Sequence, residues 1–460
     1  MRLKYYRPMP FHNKLLRWTT YLLGLLFFLV VSYGIGRLIH VAQGSIYHGE
    51  RAPYLQMASA NGMTLRWQSS IAYRGVVKYG LTEENLTGLS LESESREGHE
   101  VRLTGLKPAT RYYYRAGSHD GKFTAGGLNR FVTSPLTGTE QAGRFVVLGD
   151  PGVAIPGQAK VRDATLQWLR ENKRPNRAIM DALLSTGDNA YSSGKNEEFQ
   201  YQFFEPYKAI LAQFPVWPVY GNHDARRWSF FEIFSFPTQA ESGGVASGTE
   251  HYYSFDYGQI HFVILDSQAS RRNVDGEMAN WLRQDLKANQ QPWLISLFHH
   301  PPYTKGSHNS DSHYDSRGRM FDMRENILPI LERSGVDLVL SGHSHMYERS
   351  YLADCHYGTS DSLQTSMILS RHRQHYQKRS VGGGEHEGTI YAVIGSSARA
   401  DHGPINHPLM ASSMMETGAL VIDVQGNRLD GRFISGEGLV VDHFSITKGV
   451  AEAAVGVCGQ

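Results

Sequence analysis

At 460 residues the chain is too long for one ordinary hydrophobic core, so two folded domains are the natural expectation. Its charges nearly cancel, at a formal net +2, which excludes the basic footprint of a nucleic-acid binder, and no nucleic-acid-binding domain is read in it. With 21 histidines against 2 cysteines, metal chemistry would rest on imidazole and carboxylate and not on thiolate clusters.

Residues 1–17 carry Arg2, Lys4, Arg7, Lys14 and Arg17. From Trp18 to Gly36 there is no charge, and as a helix this run is about 28 Å long, close to the hydrocarbon thickness of a bilayer. Residues 18–37 therefore read as a transmembrane signal anchor. The surplus of cations before it keeps the N-terminus cytoplasmic and exports the rest, to a periplasmic or extracellular location. The competing reading is a cleaved signal peptide, with a weak small-residue site at Val41-Ala42-Gln43. An exported body permits a disulfide, and Cys355 and Cys458 can pair or remain two free thiols. Pairing would close a loop of about 100 residues, worth roughly 4–5 kcal/mol in the chain-entropy picture.

Residues 50–135 read as all-β. Met63, Leu65 and Trp67 alternate with polar positions, as a half-buried strand requires. Leu106, Pro108, Thr110 and Tyr112 follow at alternate positions, a pattern that resembles the corner of a fibronectin type III sandwich, where a tyrosine ties down the turn. This domain reads as a spacer and not as a ligand-binding module. Residues 134–143 are rich in Gly, Ser and Thr and form a linker.

Beyond the linker, residues 143–450 alternate short apolar runs with helical stretches near 157–172, 196–213, 276–290 and 320–334, which argues an α/β domain. Residues 252–266 interrupt this with two adjacent strands joined at Gly258, so the sheets are mixed. Five apolar runs stop at a metal-ligand type of side chain: Asp150, Asp188, Asn222, His299 and His343 with His345. Core packing has no need of that convergence. Residues 354–388 break the pattern with Arg371, His372, Arg373, His375, Lys378 and Arg379, and read either as a solvated loop or as a basic lid over an anionic substrate.

Singly these residues say little. Together Gly149-Asp150-Pro151-Gly152, Gly187-Asp188 with Tyr191, Gly221-Asn222-His223-Asp224, His299 before His300-Pro301, and Gly342-His343-Ser344-His345 resemble the binuclear metallophosphoesterases of the calcineurin-like superfamily. Tyr191 and the tail Met346-Tyr347-Glu348-Arg349 narrow the resemblance to the purple acid phosphatases, down to the fibronectin type III-like domain in front. The resemblance implies a four-layer α/β/β/α catalytic domain with mixed sheets. It implies that Asp150, Asp188, Tyr191 and His345 hold Fe(III), and that Asp188, Asn222, His299 and His343 hold a divalent Fe, Zn or Mn, with Asp188 as the bridge. Two carboxylates and a phenolate suit a hard trivalent ion, while an amide oxygen and imidazoles suit a borderline divalent one.

By the same resemblance Asn222, His223 and His300 face a phosphate ester substrate, and His223 contacts the phosphate or protonates the leaving group. His300 is otherwise only a neighbour of His299. His308 is read as a second acid because it lies about where related enzymes carry substrate-facing histidines; the alternative is a surface histidine, since its spacing departs from that of the plant enzymes. The expected activity is hydrolysis of phosphate monoesters at acidic to neutral pH. The alternatives are a phosphodiesterase acting on nucleotides or lipid headgroups and, more remotely, a non-catalytic surface binding protein.

Overall fold

A computed structural model describes residues 11–456 and 458; the cations Arg2, Lys4 and Arg7 lie outside the described residues. A helix spans Phe11–Ser45, and its segment Trp18–Gly36 is the one stretch among the described residues long and apolar enough to cross a membrane. Its apolar side chains are exposed all round, with Leu22, Phe27 and Tyr33 each more than 60% accessible. No polar face alternates with an apolar one, as it would on a helix lying against a soluble core.

The first domain holds β1 (Arg51–Gln56), β2 (Met63–Gly80), β3 (Gly88–Leu103), β4 (Arg111–Ser118) and β5 (Thr124–Val132) in one hydrogen-bonded sheet. β2 is long enough to serve three neighbours: β3 runs along it, while residues 64–68 pair with β1 and residues 75–80 with β4, with bulges between. Bulges sharpen the local bend. Met63, Leu65 and Trp67 all enter the core, as their alternation requires. Tyr112 ties the corner, its hydroxyl accepting the Lys107 N–H at 2.9 Å. The domain is no loose spacer. The Tyr54 and Tyr114 hydroxyls donate to the Ile233 and Ala212 carbonyls at 2.6 and 2.7 Å, and Arg51 reaches Gln200 and Asn196, all in the second domain.

The second domain continues with β6 (Gly143–Leu148), β7 (Ala182–Ser185), β8 (Val216–Pro218), β9 (Tyr253–Tyr257), β10 (Ile260–Ile264), β11 (Trp293–Leu297), β12 (Leu338–Ser341), β13 (Tyr347–Ser350), β14 (Leu352–Ala353), β15 (Ile368–Ser370), β16 (His375–Gln377), β17 (Ile390–Ile394), β18 (Met410–Met414), β19 (Gly418–Gln425), β20 (Arg428–Ser435) and β21 (Val440–Thr447). One seven-stranded sheet runs β18-β13-β17-β12-β11-β10-β9 and the other β16-β21-β20-β19-β6-β7-β8. The first has a parallel centre, β10 to β12 with β17, and the second a parallel run at one edge, β6 to β8.

Period two sorts the strands between layers. Ile260, Phe262 and Ile264, with Ile295, Leu297, Leu338 and Leu340, join the core between the sheets. Val263, Leu294 and Val339 instead meet Trp281, Leu282, Leu328 and Leu331 from the helices at 277–288 and 328–333. The helix Pro156–Glu171 packs against β19 and β20 of the second sheet, with Val161 and Leu169 buried. The order is helix, sheet, sheet, helix.

The segment 354–388 is solvated in part, with Arg371, His372, Arg373, His375 and Arg379 exposed, but its basic stretch is anchored at the amino ends of the strands. Tyr376 and Lys378 are 1% exposed, β16 adds to the edge of β21, and Lys378 binds Asp337 at 2.8 Å, at the amino end of β12 and away from the strand ends that carry the candidate ligands. A buried carboxylate captured the one lysine that sequence reading had assigned to the surface. Cys355 and Cys458 form a disulfide.

Candidate metal centre

All the candidate ligands sit on loops leaving the carboxyl ends of parallel strands, β6 to β8 from one sheet and β11 and β12 from the other. α/β sheets expose loop backbone and side chains there. Three of the residues hold left-handed backbone, with φ of 54° at Asp150, 51° at Asp188 and 67° at His343. Such conformations are costly for side chains other than Gly and persist where surrounding bonds impose them. Two neighbouring glycines are required by contact. A Cβ at Gly187 would stand 2.5 Å from His299 Nδ1, and one at Gly221 would stand 2.3 Å from Asp188 Oδ1.

The Tyr191 hydroxyl is the meeting point of one half of the site. It lies 3.1 Å from Asp150 Oδ1, 3.0 Å from Asp188 Oδ2 and 3.0 Å from His345 Nε2. The same Asp188 Oδ2 is 3.4 Å from His299 Nε2, which is 2.9 Å from Asn222 Oδ1. One carboxylate oxygen thus faces both groups. Asp150, Asp188 and His299 bring ligand atoms within 4.8 Å of one another, as do His299, His300 and His343. The imidazoles are set for coordination. His299 Nδ1–H donates to the Thr186 carbonyl at 2.9 Å and His345 Nδ1–H to Asp401 at 2.6 Å, which leaves each Nε2 lone pair facing the cluster.

Electrostatics point the same way. Burial alone would raise the carboxyl pKa of Asp188, but His299, and then His223, pull it well below the usual range. Burial lowers the pKa of His299, while Asp188 more than offsets this and takes it up to about 9. Burial, then the charges of Asp188 and Asp150, hold the Tyr191 phenol far above its ordinary value. The metal-free cluster therefore keeps protons that cations would displace. Buried carboxylates, an amide oxygen and imidazole nitrogens with their far sides anchored form a donor set that fits a pair of hard to borderline cations.

The remaining expected residues gather here too. His223 donates from Nδ1 to the Ser192 carbonyl at 2.7 Å, and its ring packs 4.1 Å from that of Tyr191. His308 is no isolated surface residue: its ring stacks on His343 at 3.9 Å, and its Nδ1–H donates to Asp315 at 2.8 Å. His300 is 1% exposed, receives the Ser267 hydroxyl on Nδ1 at 2.8 Å, and packs 4.5 Å from the His343 ring. His343 Nε2 lies 2.6 Å from the Ser316 hydroxyl.

Sequence reading gave no role to Asp224, Asp401, Asp315 or Ser316. Asp224 is fully buried and accepts the N–H groups of Asn189, Ala190 and Gly221 at 2.9 to 3.2 Å, locking the two ligand loops together. Burial, then the Asp188 charge, push its pKa up to about 7. Its place beside Asn222-His223 was the available signal. Asp401, 56 positions from His345, offered none.

Comparison with known proteins agrees with this geometry. Residues 143–347 match the calcineurin-like phosphoesterase family, and residues 51–133 match the purple acid phosphatase N-terminal domain. Purple acid phosphatase 15 of Arabidopsis thaliana is 30% identical over 55% of this chain and 49% of its own length. Human acid phosphatase type 7 is 26% identical over 72% of this chain and 76% of its own. The chain spans about half the length of the first plant relatives it matches. The solved purple acid phosphatase of yellow lupin (Lupinus luteus) seeds shares the fold, with a TM-score of 0.67 at 20% identity over 86% of this chain and 75% of that one.

Proposed function

We propose that this chain, which joins a purple acid phosphatase N-terminal domain to a calcineurin-like phosphoesterase domain, hydrolyses phosphate monoesters at acidic to neutral pH with a binuclear metal centre. The observation that carries the reading is Asp188 Oδ2, which stands 3.0 Å from the Tyr191 hydroxyl and 3.4 Å from His299 Nε2, between two groups of donors. Asp150, Asp188, Tyr191 and His345 would hold Fe(III). Asp188, Asn222, His299 and His343 would hold a divalent Fe, Zn or Mn. When bound, the pair supplies Lewis acidity: a more acidic water and neutralised phosphoryl charge.

The chain's own residues supply the rest. With Nδ1–H committed to Ser192, His223 is left with Nε2 for the substrate, 4.0 Å from Asp188 Oδ2. There it contacts a phosphoryl oxygen or delivers a proton to the leaving oxygen. Asp315 fixes the tautomer of His308 and leaves its Nε2 as the second proton source. His300 is assigned to supporting His343, since its exposure is 1%. The first domain is assigned to the fibronectin type III-like sandwiches, as a brace. The helix Trp18–Gly36 is assigned as the anchor that leaves the catalytic domain exported.

The test is hydrolysis of p-nitrophenyl phosphate and bis(p-nitrophenyl) phosphate by the full chain across pH, with Asp188→Asn as control. Monoester turnover dominating below neutrality is expected. Diester preference would move the chain to the phosphodiesterases, and turnover that survives Asp188→Asn would overturn the site. Iron-loaded protein is expected to be coloured by tyrosinate-to-iron charge transfer and to lose that colour in Tyr191→Phe.

A further inference from the structure

Far from the metal centre, a cavity of about 400 Å³ opens between the two domains. It lies at the amino ends of β7 and β8, so it is separated from the ligand loops by the length of the strands. Its inner wall is aromatic, built from Phe131 of the first domain and Trp217, Phe255 and Tyr257 of the second. Trp217 and Phe255 stack face to face on one another at 3.9 Å and close the apolar side of the cavity.

The mouth is cationic. Arg111 and Arg130 come from the same face of the β4–β5 ladder, since Arg130 pairs with Tyr113 and Arg111 lies two residues along. Arg170 and Arg177 come from the catalytic domain. Arg111, Arg130 and Arg170 are exposed and make no side-chain hydrogen bond or ion pair among the described residues. The one carboxylate of the lining, Asp181, is already taken: it accepts the Arg144 N–H and the Arg174 guanidinium, each at 2.7 Å. Unpaired guanidinium groups around an aromatic pocket of ligand size, at a domain interface, have the composition of a binding site and not of packing.

We propose that this cavity binds an organic anion with a flat apolar body, the ring lodged against the apolar lining and the anionic group held by Arg111, Arg130 and Arg170. The shared chemistry covers aryl acids and nucleotides. Such a ligand touches both domains at once, at a site independent of the metal centre.

The experiment is isothermal titration calorimetry of 2-naphthalenesulfonate into the full chain in lipid nanodiscs, with empty nanodiscs as the blank and 2-naphthalenemethanol as the uncharged counterpart. One saturable site that prefers the sulfonate is expected. Arg111→Glu with Arg130→Glu is expected to weaken it by about tenfold or more, since each change replaces an attraction by a repulsion. Arg170→Glu, on the opposite wall, gives an independent loss. Competition then separates the sources: displacement by adenosine monophosphate, measured in Asp188→Asn so that it is not consumed, points to a nucleotide, and displacement by benzoate to an aryl acid. Equal binding of the uncharged naphthalene, binding unmoved by the Arg variants, or displacement by neither competitor would overturn the proposal.

Discussion

The two ends of the parallel strands bury carboxylates in opposite ways. At the amino ends Asp337 is fully buried between two lysines, Lys378 at 2.8 Å and Lys448 at 2.7 Å, and accepts the Leu294 N–H at 2.9 Å. Its negative charge is answered by the chain itself. At the carboxyl ends Asp150 and Asp188 are as deeply buried, yet neither has a lysine or arginine ion pair among the described residues; they face a phenol, imidazoles and each other. Isolated buried charge is expensive, so one end is complete as protein and the other is complete only with cations. Chemistry and stability have been assigned to different ends of the same strands.

The sharpest break in this comparison comes from removing the same charge at each end. Asp188→Asn is expected to lower ester hydrolysis by about a thousandfold or more, because a shared ligand is lost. The unfolding midpoint of the metal-free protein should fall at neutral pH, since His299 and His223 lose the carboxylate they stabilise, but His299 can shed its proton and limit the loss. Asp337→Asn is expected to spare turnover and to cost more stability. It leaves two buried ammonium groups uncompensated, a cost of about 3–5 kcal/mol. Lys448, whose pKa burial pushes down to about 8, gives up its proton first, so the penalty should shrink as pH rises. Denaturant melts and turnover on the same two variants check both halves, and a catalytic loss in Asp337→Asn beyond its unfolded fraction would refute the division.

A third arrangement lies between these two. His261 is clasped by Asp256 at 2.7 Å and Asp285 at 2.8 Å, so the cation is an imidazole that can be titrated away. Burial lowers its pKa, but the two carboxylates overcome that and raise it to about 9. A pKa raised above the unfolded value gives stability that is complete below about pH 6.5 and is lost as pH climbs through about 9. The expected loss is about 3 kcal/mol across that window, read as a falling denaturation midpoint. In His261→Gln the slope should flatten, whereas the Asp337 clasp should change little below pH 8.

How far each end could be read from sequence follows from how local its partners are. The ligand loops were legible because each is an apolar run that stops at Asp, Asn or His, and because Gly-Asp, Gly-Asn-His and Gly-His-x-His hold their residues within a few positions. The tyrosine corner was legible for the same reason, since Tyr112 and Lys107 are 5 positions apart. The other end was not. Lys378 finds Asp337 across 41 positions and Lys448 finds it across 111, and nothing local marks either lysine as buried. The same distance hid the residues behind the ligands, Asp401 behind His345 and Ser316 beside His343. The alternation of Met63, Leu65 and Trp67 announced a strand, but not that β2 would bulge and serve three partners. Period gives a face; only the fold says where the strand bends.

Within the catalytic end the comparison can be graded further. His308→Ala removes a ring stacked on His343 and held by Asp315, and as a proton source it is expected to cost about a hundredfold in turnover. The iron-linked colour should stay, which separates proton delivery from damage to the metal ligands. A loss of colour in parallel with activity would instead make His308 a support for His343.

The smallest expected effect calibrates all the others. Tyr112→Phe deletes a single neutral hydrogen bond, to the Lys107 N–H at 2.9 Å, in a domain that carries neither the metal ligands nor the lysine clasp. The Lys107 backbone lies close to solvent, so water can take the place of the hydroxyl, and the loss should be about 1 kcal/mol in a denaturant melt. Turnover should be unchanged, because Tyr112 stands in the corner of the sheet and the contacts that brace the catalytic domain come from Tyr54, Tyr114 and Arg51. If turnover nevertheless fell with Tyr112→Phe, the first domain would be setting the geometry of the ligand loops and not only their stability, and the assignment of function to one end of the strands would have to extend across the domain boundary.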